Sequence, residues 1–248
     1  MNVLVIDIGG TSIKVWGPAA VRLMKIRTGP DFTPQEMVDA VKDHLEQNQC
    51  DVISIGYPGK IVAGHPAREP WNLGAGWVAF DFQAAFGKPV RMMNDAAMQA
   101  LGAYRGGCML FVGFGTSVGG ALVIDGVVVP LELGNIPFTR RATLEDVLCK
   151  RSLRRIGRVR WSRAALSVLP KLQNTFAADY VTLGGGNAKL LMGNIPFSVQ
   201  LGDNGDAYHG GVRLWNTRAL NTAHWLVADN GADTSQPNAQ PGGKQDLT

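Results

Sequence analysis

Two segments of this sequence repeat one pattern, an apolar run, a turn of glycine and hydroxyl residues, and a second apolar run. The first is "VLVIDIGGTSIKVW", residues 3–16, and the second is "CMLFVGFGTSVGGALVIDGVVV", which begins at residue 108. Continuous Val, Leu and Ile between turn residues are typical of strands buried on both faces. Each segment therefore predicts a β-hairpin, and the repetition predicts two related lobes whose turns face a shared cleft.

Asp7 stands beside the first turn, Gly9-Gly10. Two adjacent glycines allow positive φ and leave the backbone amides uncovered, so an anionic group can approach the main chain. A carboxylate at the end of a buried strand costs free energy unless it is paired or acts through a cation such as hydrated Mg²⁺. Two interpretations are open at this point: a phosphate-binding turn, or a structural hairpin in which Asp7 caps its own turn.

The remaining pattern predicts alternating helices and strands, which indicates an α/β layer. Thr33 is the expected N-cap of a helix over residues 34–47. Asn94-Asp95 follow a strand and precede a helix over residues 96–104. The other expected elements are a strand near residue 52, a long loop over 64–77, a short helix over 80–86, helices over 143–158 and 161–177, and a strand, glycine loop and helix from residue 180.

Composition excludes several classes of protein. The 248 residues are 46% hydrophobic, enough for one large core or two modest ones, and a net charge of +4 with 18% charged residues is not that of a polybasic nucleic-acid arm. Cys50, Cys108 and Cys149 fall in no zinc-binding or disulfide pattern. No leader or long apolar run is evident, so we expect a soluble cytoplasmic protein, with a disordered tail over residues 228–248.

The glycine turns, with Asn94-Asp95 between the first two, resemble the sugar kinase/Hsp70/actin superfamily and, within it, the ROK family of sugar kinases, in particular bacterial polyphosphate-using glucokinases. Eight segments in family order carry this resemblance: "DIGGTSIK", "IGYPGKIVAG", "PWNLGAGW", "VRMMNDAAMQALGAY", "GFGTSVGGALVIDG", "PLELGN", "VTLGGGNAKL" and "LGDNGDAYHGG". It implies two ribonuclease-H-like lobes, each a mixed sheet flanked by helices, with an interlobe cleft. We expect the N-terminal lobe over 1–107 plus 211–227 and the C-terminal lobe over 108–210.

The resemblance also implies the residues that bind the phosphoryl donor. Asp7 would hold Mg²⁺ through water, while backbone amides and hydroxyls would compensate the phosphate charge. For Lys14 a solvent-facing structural position is an equally open interpretation. The implied donor-binding residues are Gly9, Gly10, Thr11, Ser12, Lys14, Gly115, Thr116, Ser117, Gly184, Gly185 and Gly186.

In the enzymes it resembles, the aspartate of the Asn-Asp pair accepts the proton of the attacking sugar hydroxyl, which makes Asp95 the implied catalytic base. The alternative is that Asp95 caps the helix that follows it, and both roles are compatible. The residues implied to bind the sugar are Asn72, Asn94, Asp95, Glu132 and Asn135. Asn72 as a turn residue and Glu132 as an exposed side chain are the structural alternatives.

Two departures from the family pattern affect specificity. Most ROK proteins have Glu-x-Gly-His and then a cysteine-rich zinc loop, whereas this chain has "ELGN" at residues 132–135 and then no cysteines until residue 149. We therefore expect no structural zinc. Asn135 replaces the family histidine and cannot titrate near neutrality, so the identity of the sugar is left open.

A basic cluster, hereafter the arginine cluster, lies between residues 140 and 163. Its ordinary interpretation is a solvated helix face; the alternative is a track for a polyanion such as polyphosphate, since arginine pairs bidentately with phosphate. Nucleic acid is a third and less favoured ligand. The cluster consists of Arg140, Arg141, Lys150, Arg151, Arg154, Arg155, Arg158, Arg160 and Arg163.

Taken together, the sequence predicts a Mg²⁺-dependent kinase that transfers phosphate from ATP or polyphosphate to a hexose, with glucose and its 6-hydroxyl as the first choice. A kinase of the same superfamily acting on another small alcohol is open as well. The alternative from another class is a sugar-binding regulator or pseudokinase of the same fold. The family resemblance further suggests a homodimer.

Overall fold

The fold was determined as a computed structural model that describes residues 1–9, 11–18, 22–45, 49–203 and 205–216. Its described part contains two five-stranded sheets flanked by helices. The elements of the first half are β1 (Val3–Ile8), β2 (Ser12–Trp16), β3 (Arg22–Arg27), α1 (Pro34–Leu45), β4 (Val52–Tyr57), β5 (Ile61–Val62), β6 (His65–Pro66), α2 (Phe82–Phe86), β7 (Val90–Asn94) and α3 (Asp95–Ala103).

The second half continues with the other sheet and its helices. These elements are β8 (Cys108–Phe114), β9 (Val118–Ile124), β10 (Val127–Leu131), β11 (Pro137–Thr139), β12 (Ala142–Thr143), α4 (Leu144–Leu148), α5 (Lys150–Ile156), α6 (Arg158–Thr175), β13 (Tyr180–Gly184), β14 (Val199–Leu201) and α7 (Asp206–Arg213). No helix of the described residues is long and apolar enough to cross a membrane.

The first sheet has the strand order β3-β2-β1-β4-β7. β1 and β2 form the predicted antiparallel hairpin, while β4 runs parallel to β1 and β7 parallel to β4. All six residues of β1 are buried, which agrees with its apolar run. Because β4 and β7 are parallel to β1, the carboxyl ends of these three strands, with Asp7 and Asn94, lie at one edge of the sheet.

The second sheet has the order β10-β9-β8-β13-β14. β8, β9 and β10 form a continuous antiparallel meander, and β13 and β14 run parallel to β8 and to β13, respectively. The turn between β9 and β10 has positive φ at Asp125 and Gly126, as a two-residue hairpin turn requires. The two sheets thus repeat one arrangement, and the predicted two-lobe α/β fold is confirmed.

α3 lies at the junction of the two sheets. Its buried side chains belong to one apolar cluster with Val5 of β1 and with Phe111 and Val123 of the second sheet. α7 crosses α3 where Gly102 and Gly210 meet, so closely that a Cβ on Gly102 would overlap the backbone oxygen of Asp206. The crossing fixes the two helices that lie between the lobes.

Several local predictions are confirmed with shifted boundaries. Thr33 and Glu36 form a capping box at α1, since Thr33 Oγ1 accepts from the Glu36 N–H and Glu36 Oε2 accepts from the Thr33 N–H. β3 is an additional strand that the sequence analysis did not predict. The lobe boundaries at residues 107 and 210 stay predictions, and the expected tail over 228–248 lies outside the described residues.

The helix predicted over residues 143–158 is divided into α4 and α5. Cys149 adopts extended backbone between them, and the N–H of Lys150 donates to the carbonyl of Gly115 at 3.0 Å. The N–H of Lys150 is thus bonded to the turn after β8 and not to a carbonyl within a continuous helix. Similarly, the glycine loop after β13 leads into a short 3₁₀ turn, Ala188–Leu190, instead of a full helix.

Candidate functional site

Asp7 and Lys14 are directly paired in the β1–β2 hairpin. The Asp7 side chain is only 2% exposed, and its Oδ2 accepts a hydrogen bond of 3.1 Å from Lys14 Nζ. Among the described residues, its other oxygen, Oδ1, has no donor within hydrogen-bond distance. Burying a carboxylate oxygen without a hydrogen-bond donor costs free energy unless a cation or a water molecule interacts with it.

Asp95 is the first residue of α3 and is partly buried. Its Oδ1 accepts from the N–H of Ala96 at 2.8 Å. Burial and, second, the negative charge of Asp7 raise the pKa of this carboxyl to about 7, against smaller opposing effects of the Ala96 N–H and of Lys14. A carboxyl with such a pKa exchanges a proton readily at neutral pH, which is what general base catalysis requires.

Asn94, one residue earlier, is the N-cap of α3. Its Oδ1 accepts from the N–H of Ala97 at 3.0 Å, and its Nδ2 donates to the carbonyl of Gly59 at 3.2 Å. Asn94 is therefore the capping residue of α3. The second oxygen of Asp95, Oδ2, takes no part in the cap. The same amide holds the β4–β5 loop against the carboxyl end of β7.

Three hydrogen bonds stabilise the second glycine loop, Gly115–Ser117, and the residue that follows it. The carbonyl of Gly115 accepts from the Lys150 N–H and, at 3.2 Å, from Nδ2 of the buried Asn187. Just beyond the loop, Glu145 Oε2 accepts from the Val118 N–H at 2.7 Å. The sequence analysis missed Asn187 and Glu145; the position of Asn187 directly after three glycines was the only signal for either residue.

The third glycine loop, Gly184–Gly186, lies against the start of the second. Gly185 has φ of +78°, and a Cβ there would lie 2.5 Å from the carbonyl oxygen of Phe114. Only glycine fits this position without displacing the backbone. Two of the three predicted donor-binding loops are therefore packed together by direct backbone contact.

A cavity of about 570 Å³ is lined by Thr11 of the first glycine loop and Thr116 of the second. The remaining lining residues are Lys150, Arg151, Arg154 and Arg155 of α5. Gly10, which was also predicted to bind the donor, lies outside the described residues. One residue of each of these two turns thus lines the same cavity, together with part of the arginine cluster, and the donor-binding role of the turns stays a prediction.

A second cavity, of about 730 Å³, lies between β7 and β10. Asn94 and Glu132 line it, and Glu132 is exposed. Asn135, also exposed, is the last residue of the 3₁₀ turn after Glu132 and donates its N–H to the Glu132 carbonyl at 3.1 Å. Of the residues predicted to bind the sugar, Asn94 and Glu132 thus line the same cavity.

No protein-family model and no curated protein matches this sequence. Solved structures do match. The inorganic polyphosphate/ATP-glucomannokinase of Arthrobacter sp. strain KM is 22% identical, with a TM-score of 0.73 over 88% of this chain and 99% of that chain. A ROK family glucokinase from Streptomyces griseus is 17% identical, with a TM-score of 0.70 over 88% of this chain and 100% of that one.

A third similar structure belongs to another functional class. It is a ROK family transcriptional regulator, described as a homologue of the E. coli MLC protein, which is 15% identical with a TM-score of 0.70 over 88% of this chain and 78% of that chain. These similarities confirm the fold implied by the sequence motifs. Because kinases and a regulator share it, the activity must be argued from the site itself.

Proposed function

We propose that this chain, which has the fold of the ROK-family sugar kinases, transfers the terminal phosphoryl group of ATP or polyphosphate to a hexose, with glucose and its 6-hydroxyl as the first choice. The observation that carries the proposal is the carboxyl of Asp95. Burial and then the negative charge of Asp7 raise its pKa to about 7. It lies next to the strand ends from which the glycine loops extend.

In the proposed reaction the acceptor hydroxyl oxygen attacks the terminal phosphorus, the bond from that phosphorus to its bridging oxygen breaks, and Asp95 takes the hydroxyl proton. Positioned bases of this kind contribute about 10²–10⁴-fold to rate. The backbone N–H groups and hydroxyls of the glycine loops bind the phosphates. Asn72, Asn94, Glu132 and Asn135 hold the acceptor by hydrogen bonds to its hydroxyls.

The fold family implies Mg²⁺, and Asp7 fits this ion. Its buried Oδ1 lacks a donor among the described residues, so a water molecule of a hydrated cation would complete its environment. The described residues contain no group of three His, Cys, Asp or Glu side chains able to hold a metal. Asp7 would therefore hold Mg²⁺ through water beside the donor phosphates, where the ion offsets their negative charge.

Polyphosphate as the donor is supported by the cavity between the glycine loops. Arg151, Arg154 and Arg155 occur at helical spacing on one face of α5 and line this cavity together with Thr11 and Thr116. A phosphate chain whose terminal group lies between the two loops would extend along these side chains. Arginine binds phosphate oxygens bidentately, so successive phosphates would find successive partners.

A sugar-binding regulator without efficient turnover is the second candidate. The replacement of the family histidine by Asn135 and the structural similarity to a transcriptional regulator favour it. The raised pKa of Asp95 and the cationic cavity favour the enzyme, because a regulator that only binds sugar needs neither. The homodimer stays a prediction, which light scattering of the purified protein would test.

A coupled assay that crosses a panel of hexoses with ATP and polyphosphate tests the proposal. We expect phosphoryl transfer to at least one hexose in the presence of Mg²⁺, and a loss of about 10²–10⁴-fold in Asp95→Asn. Tight sugar binding by calorimetry without any transfer would establish the regulator instead. Transfer that is unchanged in Asp95→Asn would contradict the assigned base.

A further inference from the structure

The cavity between the lobes, hereafter the edge slot, is too large for a single hexose. Its volume of about 730 Å³ lies within the range of about 300–1,000 Å³ that holds drug-sized ligands. It extends from Asn94 and Glu132 along the edges of β7 and β10 toward Val90 and Gly126. A hexose bound at Asn94 and Glu132 would therefore leave most of the slot unfilled.

The walls of the edge slot combine apolar surface with the outer edges of two strands. Among the described residues, β7 pairs only with β4 and β10 only with β9, so neither has a strand partner along its outer edge, where the Val90 N–H of β7 donates to Gln83 Oε1 at 3.4 Å. Met92 and Val128 line the slot between these edges. Two aromatic rings, Phe80 and Phe82, lie at its end with centroids 4.8 Å apart.

Two of the charged side chains that line the slot, Arg91 and Arg213, are bonded to backbone carbonyls, and Lys60, Asp81 and Glu132 line it as well. Arg91 Nη1 donates to the carbonyl of Leu214 at 2.6 Å, and its guanidinium stacks on the ring of Trp215 at 4.4 Å. Arg213 donates to backbone carbonyls of α3 and, at 3.1 Å, of Tyr104. The arginines are thus committed to carbonyls, and the positive charge of Lys60 is accompanied by the negative charges of Asp81 and Glu132 in the same lining, so the slot offers no cluster of unopposed cations for an anionic ligand.

A saccharide has the chemistry that such walls require. Its ring faces carry C–H groups that pack on aromatic and aliphatic side chains, and its hydroxyls at the ring edge both donate and accept hydrogen bonds. The slot is also continuous with the acceptor-binding residues, since Asn94 lies at the end of β7 and Glu132 directly after β10.

We infer that the acceptor is a hexose unit carrying a further neutral group, either a second sugar or an aglycone. The phosphorylated unit binds at Asn94 and Glu132, and the attached group fills the edge slot. The chemical step is that of the proposed function, on which this inference rests, and the glycosidic bond stays intact. The edge slot thereby determines substrate specificity.

The test compares the free hexose, its methyl and phenyl glycosides and its disaccharides as acceptors for the wild type and two variants. Val129→Trp places a large ring in the slot; Ile124→Trp is the matched control, an exposed strand residue of the same sheet outside the slot. We expect wild-type kcat/KM to be about 10-fold or more higher for one substituted acceptor than for the free hexose. Val129→Trp should abolish this preference with little effect on the free hexose, and Ile124→Trp should preserve it.

A preference for disaccharides identifies a second sugar as the attached group, and a preference for the phenyl glycoside identifies an aglycone. The inference is overturned if the wild type prefers the free hexose, or if Val129→Trp lowers kcat/KM for all acceptors equally. Absence of transfer to every acceptor would count against the proposed function alone. In that event calorimetry with the same compounds tests the slot: binding that Val129→Trp removes supports the inference, and no binding of any of them refutes it.

Discussion

Glu145 connects two segments that the sequence places in different motifs. Its Oε2 accepts a 2.7 Å hydrogen bond from the N–H of Val118, just after the second glycine loop. The same oxygen would lie 3.1 Å from a Cβ on Gly134, in the turn between Glu132 and Asn135. One carboxylate therefore lies between the loop that we propose to bind the donor and the turn that we propose to bind the acceptor.

We expect Glu145→Ala to lower kcat/KM by about 10–100-fold, since it leaves the Val118 N–H without its partner, a loss of about 1–3 kcal/mol. KM should rise for both donor and acceptor. Glu145→Gln retains an acceptor oxygen and should recover most of the activity. Steady-state kinetics with each substrate varied in turn measures this. Asp146→Ala is the control on the same helix, and equal kinetic losses in it would indicate a general effect on α4.

The activity should depend on pH through Asp95. Because the base must be ionised and its pKa is raised to about 7, kcat/KM should rise with pH to a plateau above about 7. At pH 5 it should be about 100-fold below the plateau, tenfold for each pH unit. A flat profile between pH 5 and 8 would contradict the assignment.

The ionisation of Asp95 should also make the stability of the fold depend on pH, but stability should fall with rising pH where activity increases. Between the unfolded pKa near 4 and the folded pKa of about 7, the native state binds the proton and the unfolded state does not, so stability falls as pH rises through this window. Asp95→Asn removes the ionisation, and its free energy of unfolding should decline less over the same interval. Urea unfolding at pH 4, 5.5 and 7.5 compares the two proteins.

Substitution of the neighbouring charges should shift the pKa of Asp95 in opposite directions. Asp7 raises this pKa and Lys14 lowers it. Asp7→Asn should therefore lower the apparent pKa of the activity profile, whereas Lys14→Met should raise it. Both variants also lose activity, so the measurement to compare is the direction in which the apparent pKa of each kcat/KM profile shifts. Shifts of the same sign would mean that Asp95 is not the titrating group.

The arginines of α5 should distinguish the two donors. We expect the triple change of Arg151, Arg154 and Arg155 to Gln to raise KM for polyphosphate by about 10-fold or more and to affect ATP several-fold less, since only the longer chain extends along α5. Arg160 and Arg163 of α6 are exposed and do not line the cavity. Their change to Gln is the control. Equal losses with both donors would place the arginines at the transferred phosphate instead.

The crossing of α3 and α7 should be sensitive to a single methyl group. Gly102→Ala would overlap the backbone of Asp206, and we expect it to destabilise the fold by about 1–3 kcal/mol or more through overpacking. Gly29→Ala, where no atom lies within 4 Å of the added Cβ, should change stability little. Thermal or urea unfolding of both variants measures the difference, and similar stabilities would refute the close packing.

The sequence alone determined the local structure and most of the fold. Apolar runs with glycine turns identified the hairpins of residues 3–16 and 108–131, because strand burial and turn geometry depend on adjacent residues. The capping box at Thr33 was readable for the same reason. The order of the motifs then indicated the two-lobed fold and selected Asp7 and Asp95.

Only the tertiary structure decided how these residues act together. The pKa of Asp95 depends on burial and on the charge of Asp7, 88 positions away in the chain. Glu145 meets Val118, and α5 meets the two glycine loops, through contacts that no local pattern encodes. The edge slot lies between β7 and β10, strands of different sheets that have no strand partner along their outer edges among the described residues. Such features arise from the packing of distant segments, and the sequence of each segment by itself does not specify them.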